Sequence, residues 1–154
     1  MSIRVVYDTM LFVQAAARPD RIHTTFRALL DGRVILCVSP ALVAEITDVL
    51  ARPAVRARFP ALSDHVVEVF LADVQLRATT FDSIPAAFTW PQHPDDDHIF
   101  NLAIHAKATR LVTWETRILN LASETTPAAD LLRQIAPDLR IVTPKMLAEE
   151  LSQR

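Results

Sequence analysis

The sequence predicts an α/β fold: a three-layer α/β/α sandwich in which a central parallel sheet of four to five strands lies between two layers of helices. The first observation is that short, β-branched apolar segments alternate along the chain with segments of helical periodicity. The second is the composition, because 154 residues with 51% hydrophobic and 22% charged side chains suit one globular domain. We therefore expect a single domain that spans residues 1–154.

Four segments are predicted as strands because they are short, apolar and rich in β-branched residues. They are residues 3–7, 33–38, 110–113 and 139–143. The first strand stops at Asp8, and the second begins after Gly32, which ends a predicted helix.

The predicted helices are bounded by residues that commonly start or stop helices. Ser39 as the cap and Pro40 in the first turn begin a helix that stops before Pro53. A proline-rich loop is expected over residues 83–94, and residues 122–138 are either partly helical or a loop insertion. The other predicted helices are residues 22–30, 63–76, 97–107, 118–121 and 145–151.

The composition excludes several classes of function. The formal net charge is −2, from 16 Lys+Arg and 18 Asp+Glu, so contact with nucleic acid requires a local patch rather than a basic chain. Gly32 is the only glycine, which rules out a G-x-G-x-x-G dinucleotide turn and a Walker phosphate loop. The single cysteine, Cys37, lies in an apolar segment and is expected to be a buried thiol, and no apolar segment is long enough to span a membrane. A cytoplasmic location is the simplest expectation.

Acidic residues occur where strands end or helices begin. Asp8 directly follows the first strand, and Glu45 lies in the helix after the second. Asp97 begins a later helix, and Glu115 comes shortly after a further strand. Because ligands of open parallel sheets bind beyond the carboxyl ends of the strands, we expect these carboxylates to share one edge. Close carboxylates need a cation, and hard oxygen ligands suit Mg²⁺ or Mn²⁺, so the pattern predicts a metal site for phosphate chemistry, in a nuclease or a phosphatase.

These positions also have ordinary structural interpretations. Acids in the first turn of a helix interact favourably with its macrodipole, so Asp95 and Asp96 are interpreted as cap and surface positions. Glu115 equally suits the start of the helix that follows it. Thr113 either holds one carboxylate through its hydroxyl or simply ends a strand. Packed, surface or solvated positions are expected for His98, His105, Trp90, Trp114, Arg110 and Arg117.

Four segments, taken in order, resemble the PIN-domain family. They are residues 5–13 (VVYDTMLFV), 39–45 (SPALVAE), 95–103 (DDDHIFNLA) and 111–115 (LVTWE). The resemblance implies a ribonuclease most similar to the toxins of bacterial type II toxin–antitoxin systems. In that family the acids bind Mg²⁺ or Mn²⁺ and a metal-activated water attacks an RNA phosphodiester. An antitoxin protein blocks the site, and homodimers are common.

The resemblance assigns Asp8, Glu45 and Asp97 as catalytic metal ligands and Glu115 as a fourth acid. Met10 stands where the family usually has asparagine, and Glu115 stands where aspartate is commoner. We therefore expect an enzyme of low activity.

Two alternative functions follow from the same residues. One is a PIN fold with a weakened site that acts by binding RNA or protein. Arg117 supports this alternative, because it stands where the family often has a further acid. The other is a phosphatase with a similar strand order. Met10 counts against the phosphatase, because those enzymes use Asp-x-Asp after the first strand.

Overall fold

The computed structural model describes residues 2–154, and its centre is a five-stranded parallel sheet. The four predicted strands are confirmed, and a fifth strand of only two residues was not predicted. The strands are β1 (Ile3–Tyr7), β2 (Val34–Val38), β3 (Thr79–Thr80), β4 (Arg110–Val112) and β5 (Arg140–Val142).

Helices fill the connections between these strands. Those present are α1 (Thr9–Ala16), α2 (Thr24–Leu30), α3 (Pro40–Ala51), α4 (Pro53–Arg58), α5 (Asp64–Arg77), α6 (Asp97–His105), α7 (Thr116–Asn120), α8 (Pro127–Ile135) and α9 (Pro144–Ser152). A 3₁₀ turn, Pro94–Asp96, leads directly into α6. The helices α1 and α4 were not predicted, and α8 settles residues 122–138 as partly helical. Within residues 2–154, no helix is long and apolar enough to cross a bilayer.

Several of these helices begin with the same local signal. The Ser39 side chain accepts a hydrogen bond from the Leu42 backbone at 3.1 Å, and Pro40 follows in the first turn of α3. A threonine followed by proline starts α8 and α9 in the same way. A capping oxygen satisfies a free helix amide, and proline lacks the amide that would need one.

The chain winds outward from the centre of the sheet in two opposite directions. β1 is followed by β2 and β3 on one side and by β4 and β5 on the other, which gives the order β3-β2-β1-β4-β5. Because crossovers between parallel strands are right-handed, this reversal places helices on both faces, as the three-layer prediction requires. It also opens a crevice at the carboxyl ends of β1 and β4, where open parallel sheets bind their ligands.

The core is centred on β1, which is buried on both faces. Val5, Val6 and Tyr7 are fully buried, and the Tyr7 hydroxyl donates to the Thr25 carbonyl at 2.7 Å. This position explains why the last three residues of the strand do not alternate with polar residues, whereas Arg4 before them is exposed. Cys37 is also fully buried, and burial raises the pKa of its thiol to about 11, which confirms the prediction of a structural thiol.

Candidate metal centre

Asp8 lies where the sheet reverses direction, at the end of β1 and next to the end of β4. Its backbone amide donates to the Val112 carbonyl at 3.0 Å. Its side chain caps α1, because Oδ1 accepts from the Thr9 amide at 2.8 Å. Burial raises the pKa of Asp8, and this effect is opposed by hydrogen bonds from Thr113 and Thr9 and reinforced by the charges of Asp96 and Glu115. Asp8 is thus a buried carboxylate with two other acids near it.

Thr113 joins Asp8 to the segment after β4. Its buried hydroxyl donates to Asp8 Oδ2 at 2.8 Å and accepts from the Glu115 amide at 2.9 Å. The hydrogen bond to a carboxylate, one of the two interpretations of Thr113, is therefore confirmed. One hydroxyl fixes the position of Asp8 and the course of the backbone that carries Glu115.

The three consecutive aspartates point in different directions because they pass from a 3₁₀ turn into a helix. Asp95 is exposed, whereas Asp96 is only 8% exposed and its charge acts on Asp8. Asp97 Oδ1 accepts from the Trp90 amide at 2.7 Å. Asp96 stands at the N-cap position of α6, although its side chain makes no capping hydrogen bond. The interpretation of this acid as a surface position is wrong, because its side chain is buried.

Asp97 shares its side of α6 with Asn101, one helical turn later. Asn101 Oδ1 accepts from the backbone amides of Ala87 and Phe88, at 3.0 and 2.8 Å. Together with the bond from Trp90 to Asp97, these contacts hold the loop that precedes α6. Asp97 has a structural role in this loop, and its role as a metal ligand stays a prediction.

Arg117 is the cation nearest to this group of acids. Its Nη2 lies 3.0 Å from Asp96 Oδ2, and its Nη1 lies 2.8 Å from Glu115 Oε2. Partial burial lowers the pKa of Arg117, but Asp96, Glu115 and Asp8 together raise it above its usual value. Arg117 is exposed, as its interpretation as a solvated charge requires, but its guanidinium also bridges two acids.

Glu45 approaches from α3 and is paired with His98 of α6. The two side chains come within 2.7 Å, between Glu45 Oε2 and His98 Nε2, although this oxygen is buried and is not aligned for a hydrogen bond. The proximity of His98 holds the pKa of Glu45 below its usual value. Thr9 Oγ1 is also buried without a hydrogen-bond partner.

Comparison with known proteins gives one family. The model of the PIN domain matches residues 4–117, which hold all of these acids and the strands β1 to β4. The chain belongs to the PIN-domain family. No curated protein matches it. PIN domains are generally nucleases, so the fold found here is that of a nuclease family.

The acids of this PIN domain do not form a complete metal cage as their side chains stand. We expected Asp8, Glu45 and Asp97 to converge on one point, but within residues 2–154 no three His, Cys, Asp or Glu side chains are placed to hold a metal ion. The donor set nevertheless suits a hard divalent cation, which prefers carboxylate oxygens. Such a cation would also satisfy the Glu45 oxygen that is buried without a hydrogen bond, although His98 Nε2 lies 2.7 Å from it.

Sequence reasoning missed two members of this site, Asp96 and Arg117. For Asp96 the sequence signal was Pro94, which begins a 3₁₀ turn. In such a turn each following aspartate points in a different direction around the helix axis. For Arg117 the signal was its spacing of two residues after Glu115, but no pattern in the sequence indicates that it reaches Asp96, 21 residues earlier in the chain.

Proposed function

We propose that this PIN domain is a metal-dependent endoribonuclease that hydrolyses phosphodiester bonds in RNA. The observation that carries the proposal is the placement of buried Asp8 and Asp96 beside Glu115 at the point where the sheet reverses. Asp8, Asp96 and Glu115 share this ligand-binding edge with a single cation, Arg117, and buried carboxylates are costly unless their charge is compensated.

Asp8, Asp96 and Glu115 would hold Mg²⁺ or Mn²⁺, with Glu45 approaching from α3. Asp97, the ligand expected from the sequence, is the alternative to Asp96. When bound, the metal supplies positive charge for the phosphodiester and lowers the pKa of a water molecule.

The surrounding residues position the carboxylates. Thr113 and the Thr9 amide each donate to one oxygen of Asp8, which orients the carboxylate and favours its ionised form. His98 does the same for Glu45 by charge and contact, as its proximity lowers the pKa of Glu45. Both acids are therefore held in position before RNA binds.

We propose further that the protein is the toxin of a toxin–antitoxin pair and forms a homodimer. The support is a set of large apolar side chains that are exposed on and around α2 and α5: Ile22, Leu30, Val69 and Leu76. Large exposed apolar side chains on neighbouring elements are typical of protein interfaces. A short neighbouring reading frame whose product co-purifies with the protein is the expected finding, and a monomer indifferent to that product contradicts it.

A second candidate function is a PIN fold that binds RNA or protein without cleaving. The observation that favours it is Arg117, which neutralises two of the acids. Such a module binds divalent cations weakly and cleaves nothing at any metal concentration.

The decisive experiment incubates the purified protein with a mixture of structured and unstructured RNAs, in Mn²⁺ or in excess chelator. The nuclease predicts fragments that appear with Mn²⁺, disappear with chelator and are absent for Asp8→Asn. If the wild-type protein leaves every RNA intact at high Mn²⁺, the binding module is the better account. Fragments that persist with chelator point to a contaminating nuclease and not to this site.

A further inference from the structure

All three guanidinium nitrogens of Arg117 contact acids, although the side chain is partly exposed. Its Nε and Nη2 both lie near Asp96 Oδ2, at 3.2 and 3.0 Å, while Nη1 contacts Glu115 Oε2 at 2.8 Å. The guanidinium therefore uses both of its edges on acids from two separate segments of the chain. Ile118, the next residue of α7, is fully buried and anchors the backbone that carries Arg117.

The charge balance explains why a cation is favoured at this place. Asp96 is almost fully buried and its charge acts on Asp8, so two carboxylates lie close together in a region that water reaches poorly. Burying a carboxylate is costly unless it is paired and hydrogen-bonded. Arg117 supplies one positive charge and the hydrogen-bond donors, which is part of what a divalent metal would supply to the same oxygens.

We propose that Arg117 is an internal counter-ion that competes with the divalent metal for Asp96 and Glu115, so that the guanidinium must leave before the metal binds. The inference rests on the proposed function, because it takes these acids as the metal site. Arg117 keeps 41% of its side chain exposed, so it has open solvent into which it can turn. Binding equilibria of this kind are reciprocal, and a metal that displaces Arg117 is itself weakened by Arg117.

The test is a Mn²⁺ titration followed by thermal unfolding and by calorimetry, with no RNA present. Arg117→Gln removes the charge and keeps polarity and much of the length, and Arg117→Lys keeps the charge. The control is Arg77→Gln, because Arg77 pairs with Asp73 on α5 with a similar exposure, 44% against 41%. A further variant, Asp96→Asn, removes a proposed ligand.

We expect Arg117→Gln to lower the Mn²⁺ dissociation constant about five- to tenfold, the lower end of typical coupling between sites, since solvent screens a partly exposed pair. The same variant should melt at a lower temperature than the wild type without metal and gain more on addition of Mn²⁺. Arg117→Lys should lie close to the wild type, Arg77→Gln should match it, and Asp96→Asn should lose Mn²⁺ binding.

Other results overturn the inference in distinguishable ways. If wild type and Arg117→Gln bind Mn²⁺ equally, or if the variant binds it less well, Arg117 does not compete and only this inference fails. If neither protein binds Mn²⁺, the proposed function fails with it. If Arg117→Gln does not fold, the wild-type protein is tested with an arginine-specific dicarbonyl reagent. We expect the reagent to modify Arg117 faster with Mn²⁺ than without it, and to modify Arg77 at the same rate in both conditions. An unchanged rate at Arg117 refutes the competition.

Discussion

Replacing Thr113 by valine tests whether its hydroxyl organises the acid site. Valine has nearly the same shape, so the change removes two hydrogen bonds and little packing. Asp8 Oδ2 loses the donor at 2.8 Å, and the Glu115 amide loses the acceptor at 2.9 Å. Thr113 is fully buried and Asp8 is 7% exposed, so water cannot readily replace either bond.

The expected loss of stability follows from these two unsatisfied groups. A buried polar group left without its partner costs about 1–3 kcal/mol, so the two groups together should lower the free energy of unfolding of Thr113→Val by about 2–6 kcal/mol. Urea unfolding followed by tryptophan fluorescence measures this difference. Thr113→Ser is the matched control, because it keeps the hydroxyl and loses only a methyl group, and its loss should be clearly smaller.

The same variant should show a defined dependence on pH. Burial raises the pKa of Asp8 and the Thr113 hydroxyl opposes the rise, so Thr113→Val should raise this pKa further. An acid whose pKa is raised by folding destabilises the folded state at any pH where the acid is ionised. This loss of stability disappears as the pH falls and the acid becomes protonated. The gap between Thr113→Val and wild type should be widest at neutral pH and shrink as the pH drops through the pKa of Asp8. A variant within about 0.5 kcal/mol of wild type at neutral pH, the range of ordinary surface changes, refutes the reasoning.

Three further predictions concern single residues. Asp96→Asn should abolish Mn²⁺ binding and RNA cleavage while the protein stays folded. Asp97→Asn should mainly loosen the loop before α6, because it weakens the bond from the Trp90 amide. The opposite result in a paired metal titration would identify Asp97 as the ligand. Met10 is 40% exposed in the first turn of α1. Met10→Asn should raise RNA cleavage at limiting metal by about tenfold or more, within the range typical of residues that support metal ligands, with little change at saturating metal. Equal metal dependence of the two proteins would exclude a role for this side chain. Cys37 should react with a disulfide reagent at pH 8 only as fast as the protein unfolds, and rapid labelling of the native protein would contradict its burial.

The sheet could be predicted from the sequence because its strands carry a clear local signal. β1 and β2 are buried and β-branched, and their ends coincide with Asp8 and Ser39. The strand β3 was missed because two residues, Thr79 and Thr80, give no periodicity to read. The sequence did not decide whether α8 forms, although Thr126 and Pro127 start it. A hydroxyl residue followed by proline is the same signal that predicts the start of α3 at Ser39 and Pro40.

The acid site could be predicted only as a set of positions along the chain. The order of strands places Asp8 and Glu115 at one edge, and this part requires no side-chain geometry. The choice between Asp96 and Asp97 depends on a rotation of about 100° per residue around the helix axis, which three identical side chains in sequence cannot reveal. The contact from Arg117 to Asp96 joins segments 21 residues apart, and only the folded chain shows it.

The proposed function requires that the carboxylates at the sheet reversal hold a divalent metal. A crystal structure of the protein grown or soaked with Mn²⁺, with anomalous data collected to locate the metal, shows whether they do. We expect an anomalous peak bonded to oxygens of Asp8 and Asp96, with the Arg117 guanidinium turned away from Asp96. A peak bonded to Asp97 but not to Asp96, or no peak at these acids at high Mn²⁺, would contradict it.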